Sequence, residues 1–213
     1  MEDLVYLRQE ELDLNIPTSA AIIGIGGVGS WVAFNLALTG VRKIILIDHD
    51  KIDEHNLNRT PFRKIDIGNF KVRSMMELII ERRPWCNVIP LPKKIEDVDL
   101  SLLENIEVIA DCRDISNHLP EEITKKVKIL GGYDGYSVTI HVNPDYDSIW
   151  GKGQPVRYRI VPSWLVPPQF IANIITLYLC RGDIKGIERT EYKEIIVTKD
   201  MRYIMNEVLN EKR

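Results

Sequence analysis

Short apolar runs alternate with amphipathic stretches along most of the chain, and their spacing separates strands from helices. Ala20–Ile23 is apolar, too short for a helix and closed by glycine, which predicts a buried strand. Ser30–Leu38, closed by Gly40, reads as a helix, and Lys43–Asp48 as a second strand ending on a carboxylate. Between Phe70 and Arg82, the residues Val72, Met75, Met76, Ile79 and Ile80 line one helical face, with both methionines expected in the core. Val88–Leu91 is a third strand, which Pro90 and Pro92 assign to a sheet edge. Leu100–Leu103 forms a helical turn, and Ile106–Ala110 is a buried strand that delivers Asp111-Cys112-Arg113-Asp114 at its carboxyl end.

Further on, Pro120–Lys126 reads as a short helix and Val127–Leu130 as a strand broken by Gly131-Gly132. Tyr136–Val142 alternates as a strand, and 145–157 reads as a loop. Pro167–Cys180 is apolar nearly all round, which predicts a helix buried centrally or against a second subunit. Tyr192–Val197 closes the strands and Met201–Asn210 the helices, while Glu2–Leu14 is a helix packed on the outside. The alternation argues for an α/β fold with a largely parallel sheet and a mixed C-terminal part. One domain over 1–213 is expected: an arm at 1–18, a nucleotide-binding core at 19–145 and a closing segment at 146–213.

Composition narrows the function. A formal charge of −3 with dispersed basic residues gives no basis for nucleic-acid binding. No apolar run reaches the ~18–20 residues of a membrane span. The acidic opening MEDLVYLRQEELDL is unlike a signal peptide, so a cytoplasmic protein is expected. Cys86, Cys112 and Cys180 are too widely separated for a Cys-x-x-Cys zinc pair, so no structural zinc is expected.

The candidate chemistry begins at Ser19–Asp50, which reads strand, glycine turn, helix, strand, acid. Gly24 permits a tight turn, Gly26 lets phosphate oxygens approach the backbone, Gly27 lies between, and Gly29 lets helix pack on strand. The helical N–H groups that follow face an anion, and Asp48 stands at the distance that holds ribose hydroxyls. This is a Rossmann-like, doubly wound nucleotide site. The polar stretch KIDEHNLNRTPFRKIDIGNFK supplies Asn56, Asn58, Arg59 and Lys71 for phosphate, on a loop with one turn of helix.

GIGGVGS at 24–30, LIDHD at 46–50, NLNR at 56–59, DIGNFK at 66–71 and ADCRD at 110–114 together resemble the ThiF/MoeB group, the adenylating domains related to ubiquitin-activating enzymes. The resemblance covers about the first 140 residues, and GGYDGYSVTIHV and the helix at 167–180 resemble later parts of the family. It implies ATP-dependent adenylation of the C-terminal Gly-Gly carboxylate of a small ubiquitin-like or sulfur-carrier protein, in a homodimer. Asp48 would then hold the ribose, and Asn56, Arg59 and Lys71 the phosphates. Asp114, or else Asp111, would hold Mg2+, and Arg8 would reach the partner subunit's site. Ile115 replaces the asparagine usual after the metal-binding aspartate, and the family's two Cys-x-x-Cys pairs are missing. Cys112 is expected buried and inert, and adenylation without onward thioester transfer is the simpler expectation. Two alternatives stand: an NAD-dependent oxidoreductase, which gives no use to Asn56, Arg59 and Lys71, and a catalytically silent scaffold that binds a carrier protein.

Overall fold

The computed structural model describes residues 2–12, 14–113, 119–134, 137–146 and 163–181. The described strands are β1 (Ser19–Ile23), β2 (Lys43–Ile47), β3 (Asn87–Leu91), β4 (Val108–Asp111), β5 (Val127–Asp134) and β6 (Ser137–Val142). They form one sheet in the order β3-β2-β1-β4-β5-β6. All neighbours are parallel except β5 and β6, which run antiparallel. The expected α/β architecture is therefore present, with the mixed part at the β6 edge. β3 does lie at the other edge, where Pro90 leaves no ladder bond unmade on an inner strand.

The helices are α1 (Glu2–Tyr6), α2 (Gly27–Thr39), α3 (Lys71–Arg82), α4 (Glu121–Thr124) and α5 (Val166–Arg181). The two faces of the sheet are covered unequally. On one, Val28, Val32 and Leu36 of α2, Val72, Met75 and Ile79 of α3, and Ile171 and Ile175 of α5 pack with Ala20, Ile22, Ile44 and Leu46. On the other, Ala21, Ile23, Ile45 and Ile47 meet Leu103, Ile106, Ile123 and Tyr146, brought by short helical turns and connections. Central strands buried on both faces need continuous apolar runs, which is what β1 and β2 carry.

Several elements differ from the sequence reading: the N-terminal helix expected over Glu2–Leu14 is α1 followed by a 3-10 turn at Leu7–Gln9, and two more differ at glycines. α2 begins at Gly27, inside the glycine turn, rather than at Ser30. β5 is not broken at Gly131-Gly132 but runs through both to Asp134. A Cβ on Gly131 would lie 2.7 Å from Ile171 Cγ2 and from Ile175 Cδ1, so this glycine admits α5 onto the strand. Glycine inside a strand marks close approach as well as interruption, and close approach holds here.

The polar stretch after Asp50 carries two 3-10 turns, Glu54–Asn56 and Lys64–Asp66, instead of one helical turn. Ile52 and Phe62 anchor it in the core, and a bridge between Lys51 and Phe70 closes its base. Asp114, most of 145–157, the strand expected at 192–197 and the helix expected at 201–210 lie outside the described residues.

Candidate functional site

β1 has β2 on one side and β4 on the other, so the chain leaves it in opposite directions. In a sheet of this kind the crevice beyond the strand carboxyl ends at that point is where ligands bind. Gly24 follows β1 with φ +85, and a Cβ on it would stand 2.9 Å from Arg113 N and Cys112 O. Only glycine satisfies both the backbone angle and the contact. A Cβ on Gly29 would overlap the Gly24 carbonyl oxygen at 1.8 Å, so Gly29 seats α2 against the turn. Gly26 has nothing within 4 Å of the same position, which leaves its backbone open to a ligand.

Asp48, at the end of β2, is buried and faces this turn. Its Oδ2 accepts the Ile25 N–H at 2.6 Å and its Oδ1 accepts the Asp50 N–H at 2.8 Å. Burial pushes its pKa above the ordinary carboxylate value, opposed by the Lys71 ammonium and by these two N–H donors. Lys71 opens α3. Its Nζ lies 2.7 Å from Asp50 Oδ2 and 4.0 Å from Asp48 Oδ2. The glycine turn, Asp48 and Lys71 thus form one cluster, with Asp50 as a member that sequence reasoning did not assign. His49 Nε2 stands 3.4 Å from Asp50 Oδ1.

The remaining expected residues are placed differently. Asn56 is buried, and its Oδ1 accepts the Asp53 N–H at 2.9 Å, capping its own turn. Arg59 is held to α2 through its carbonyl, which accepts Trp31 Nε1–H at 3.0 Å. Its Nη1 donates to His55 O at 2.5 Å and Asn58 Oδ1 at 3.1 Å. Arg8 is exposed in a 3-10 turn, while neighbouring Gln9 donates to Thr39 O at the far end of α2 from the glycine turn. A 13-residue helix spans about 20 Å, so the structure does not bring Arg8 to its own chain's cleft.

The family resemblance offers Asp114, or else Asp111, to a metal. Asp111 is buried with both oxygens engaged: Arg113 Nε to Oδ1 and Nη2 to Oδ2, each 2.9 Å, and Tyr146 O–H to Oδ2 at 2.8 Å. Burial, and then Asp111 itself, raise the Tyr146 pKa far out of the physiological range. Burial works against the Arg113 charge, but the hydrogen bonds and charge of Asp111 outweigh it and raise the Arg113 pKa. Such a saturated carboxylate does not fit a magnesium ligand, and Asp111 instead fixes the loop that abuts Gly24. A further cluster was not legible in sequence. Tyr133 Oη is 2.7 Å from Ser163 Oγ and would be 2.7 Å from a Cβ on Gly27, and Asn58 Nδ2 donates to Ser163 O at 3.0 Å.

Comparison with known proteins gives a consistent picture. The model of the ThiF family matches residues 9–120. The chain is 39% identical over 89 residues to the NEDD8-activating enzyme E1 catalytic subunit of Dictyostelium discoideum, covering 41% of this chain and 20% of that one. It is 38% identical over 86 residues to the tRNA threonylcarbamoyladenosine dehydratase of Bacillus subtilis, covering 40% and 34%. The chain thus spans about a fifth to a third of these relatives. Among solved structures, PaaA superposes with a TM-score of 0.61 at 20% identity, covering 92% of this chain and 68% of that one. E. coli MccB with AMPCPP and MccA gives 0.59 at 21% identity, covering 83% and 57%. Both likenesses show the shared fold. No helix among the described residues is long and apolar enough to cross a membrane.

Proposed function

The chain belongs to the ThiF family, and from that premise we propose that it adenylates a carboxylate with ATP. The acceptor is the C-terminal Gly-Gly carboxylate of a small ubiquitin-like or sulfur-carrier protein. One carboxylate oxygen attacks the α-phosphorus, the bond from that phosphorus to the β-phosphate bridging oxygen breaks, and pyrophosphate leaves. The observation that carries this reading is the meeting of the glycine turn, Asp48 and Lys71 at the β1–β4 switch point. Support for the substrates comes from the relative named for activating NEDD8 and from the MccB structure solved with AMPCPP and MccA.

The residue types suit the chemistry. A peptide carboxylate has a pKa of ~3.3–3.7, so it is already a nucleophile at neutral pH and needs no general base. The barrier lies in bringing one anion to another. Asp48 accepts from the ribose hydroxyls, and Asn56 stays available through its amide nitrogen. Lys71 turns from Asp50 to the phosphates, and Arg59 grips two oxygens at once. The open N–H groups of the glycine turn face the charge that builds up on the α-phosphate. Magnesium would offset the triphosphate charge; the family resemblance assigns it to Asp114, and the engagement of Asp111 by Arg113 and Tyr146 agrees with that preference. The arm at 1–18, the core at 19–145 and the closing segment at 146–213 act as one domain in a cytoplasmic homodimer, and the exposed position of Arg8, next to the anchored Gln9 and away from its own cleft, fits a role in the partner's cleft.

The test is ATP–pyrophosphate exchange by the purified chain, supplied with a panel of small proteins ending in Gly-Gly. Arg59→Ala and Lys71→Ala are each expected to lose on the order of 10²–10³ in rate, by analogy with single donors to a developing charge. Full exchange by both variants, or tighter binding of NAD than of ATP, would overturn the reading.

A further inference from the structure

Arg59 is one of the two cations that the proposed reaction uses, and its guanidinium is held by the His55 carbonyl and by Asn58. Its Nη1 donates to Asn58 Oδ1 at 3.1 Å. The other half of the same amide, Asn58 Nδ2, donates to Ser163 O at 3.0 Å. Ser163 Oγ pairs with Tyr133 Oη at 2.7 Å, and Tyr133 stands over Gly27, the first residue of α2. A guanidinium only donates and a carbonyl only accepts, so Asn58 has one orientation that serves both neighbours. Three segments distant in sequence are joined in this way: the loop carrying Arg59, the strand β5, and the residues that enter α5.

We propose that Asn58 is a positioning residue for Arg59: its amide, seated on Ser163 and through Ser163 on Tyr133, fixes the direction of a guanidinium whose backbone is already tied to α2 by Trp31. The inference rests on the reading of this cleft as an ATP site. It replaces the phosphate contact that the sequence suggests for Asn58 with a bridging role, since its amide is engaged by Ser163 and Arg59. Its effect is confined to the phosphates, because Arg59 is the group it orients, and it leaves the ribose contact of Asp48 untouched. Asn58 is exposed and half of a two-bond bridge, so its loss removes contacts of ordinary strength.

The experiment compares Mg-ATP binding by calorimetry with adenosine binding by ligand-observed NMR. Asn58→Ala is expected to weaken ATP by roughly 3- to 10-fold and to leave adenosine unchanged. In an Arg59→Ala background, adding Asn58→Ala is expected to cost nothing further. Tyr133→Phe, which removes the far hydroxyl, is expected to weaken ATP by about 2- to 5-fold in the wild type and not at all beside Asn58→Ala. Equal weakening of ATP and adenosine by Asn58→Ala marks a merely structural residue and overturns the inference. So does an Asn58→Ala effect that multiplies with that of Arg59→Ala, or an Asn58→Ala variant that binds ATP as the wild type does. If the wild type binds no ATP, the underlying reading falls instead, and that result is told apart by the unmutated chain alone.

Discussion

At the scale of single residues, the cleft sorts charged groups by whether their partners are already fixed. Asp111 is fully committed to Arg113 and Tyr146, whereas Lys71 holds an exposed carboxylate, Asp50, that a phosphate can replace. The three cysteines are committed in another sense. All are buried; burial pushes the Cys86 and Cys180 thiols up to about 11, and Cys112 rises well above the ordinary value through burial and then Asp111. The thiolate is the nucleophile, and at pH 8 a thiol with such a pKa is ionised in about one molecule in a thousand. Burial therefore argues against Cys180 as a thioester carrier in the resting chain. With a disulfide exchange reagent at pH 8, all three thiols are expected to react at least ~100-fold more slowly in the native protein than in denaturant. A thiol that reacts at once in the native chain would reopen onward transfer after adenylation.

At the scale of elements, what could be read from the sequence was what neighbouring residues decide. β1, α2, β2 and α3 follow from apolar spacing, and the glycine turn from its own pattern, because each is local. The errors came where a distant partner decides. Gly131-Gly132 reads as a break, yet β5 continues because α5, some forty residues on, needs the room. The Asp111–Arg113–Tyr146 network and the Asn58–Ser163–Tyr133 bridge join segments that no spacing rule connects. Nor does spacing show that Asn56 caps its own turn. The two adjacent glycines make this argument testable. A Cβ on Gly131 meets Ile171 and Ile175 at 2.7 Å, while one on Gly132 meets nothing within 4 Å. Gly131→Ala is expected to cost about 1–3 kcal/mol in urea unfolding through overpacking. Gly132→Ala should stay within about 0.5 kcal/mol of the wild type. Adding Ile175→Val to Gly131→Ala should recover part of the loss, since it removes the Cδ1 atom in the way. Equal costs at the two positions would mean that α5 does not sit on β5 as described.

For the whole molecule, the cleft couples stability to pH in a way that reports its construction. Asp66, buried in the Lys64–Asp66 turn beside the cleft-forming stretch, is pushed up by burial but held below the ordinary value by the Arg63 side chain and backbone N–H. Its stabilisation is present above its unfolded pKa and is lost as pH falls through the lower folded one. Asp48 has the opposite sign. Its folded pKa is raised, so its stabilisation is present below the unfolded value and is lost as pH rises through the folded one. Ionising Asp48 in the fold therefore carries a cost, and the Lys71 ammonium at 4.0 Å reduces it. Removing Lys71 should raise the Asp48 pKa further and leave Asp50 without its cation. Lys71→Met is therefore expected to cost less in urea unfolding at pH 4, where Asp48, with its raised pKa, binds a proton more readily. The cost should grow to about 1 kcal/mol at pH 7, and Asp48→Asn in the same chain should remove much of that pH dependence. If the Lys71→Met cost is the same at both pH values, the lysine does not answer the Asp48 charge, and the cluster at the switch point is not the electrostatic unit that the proposed phosphate site requires.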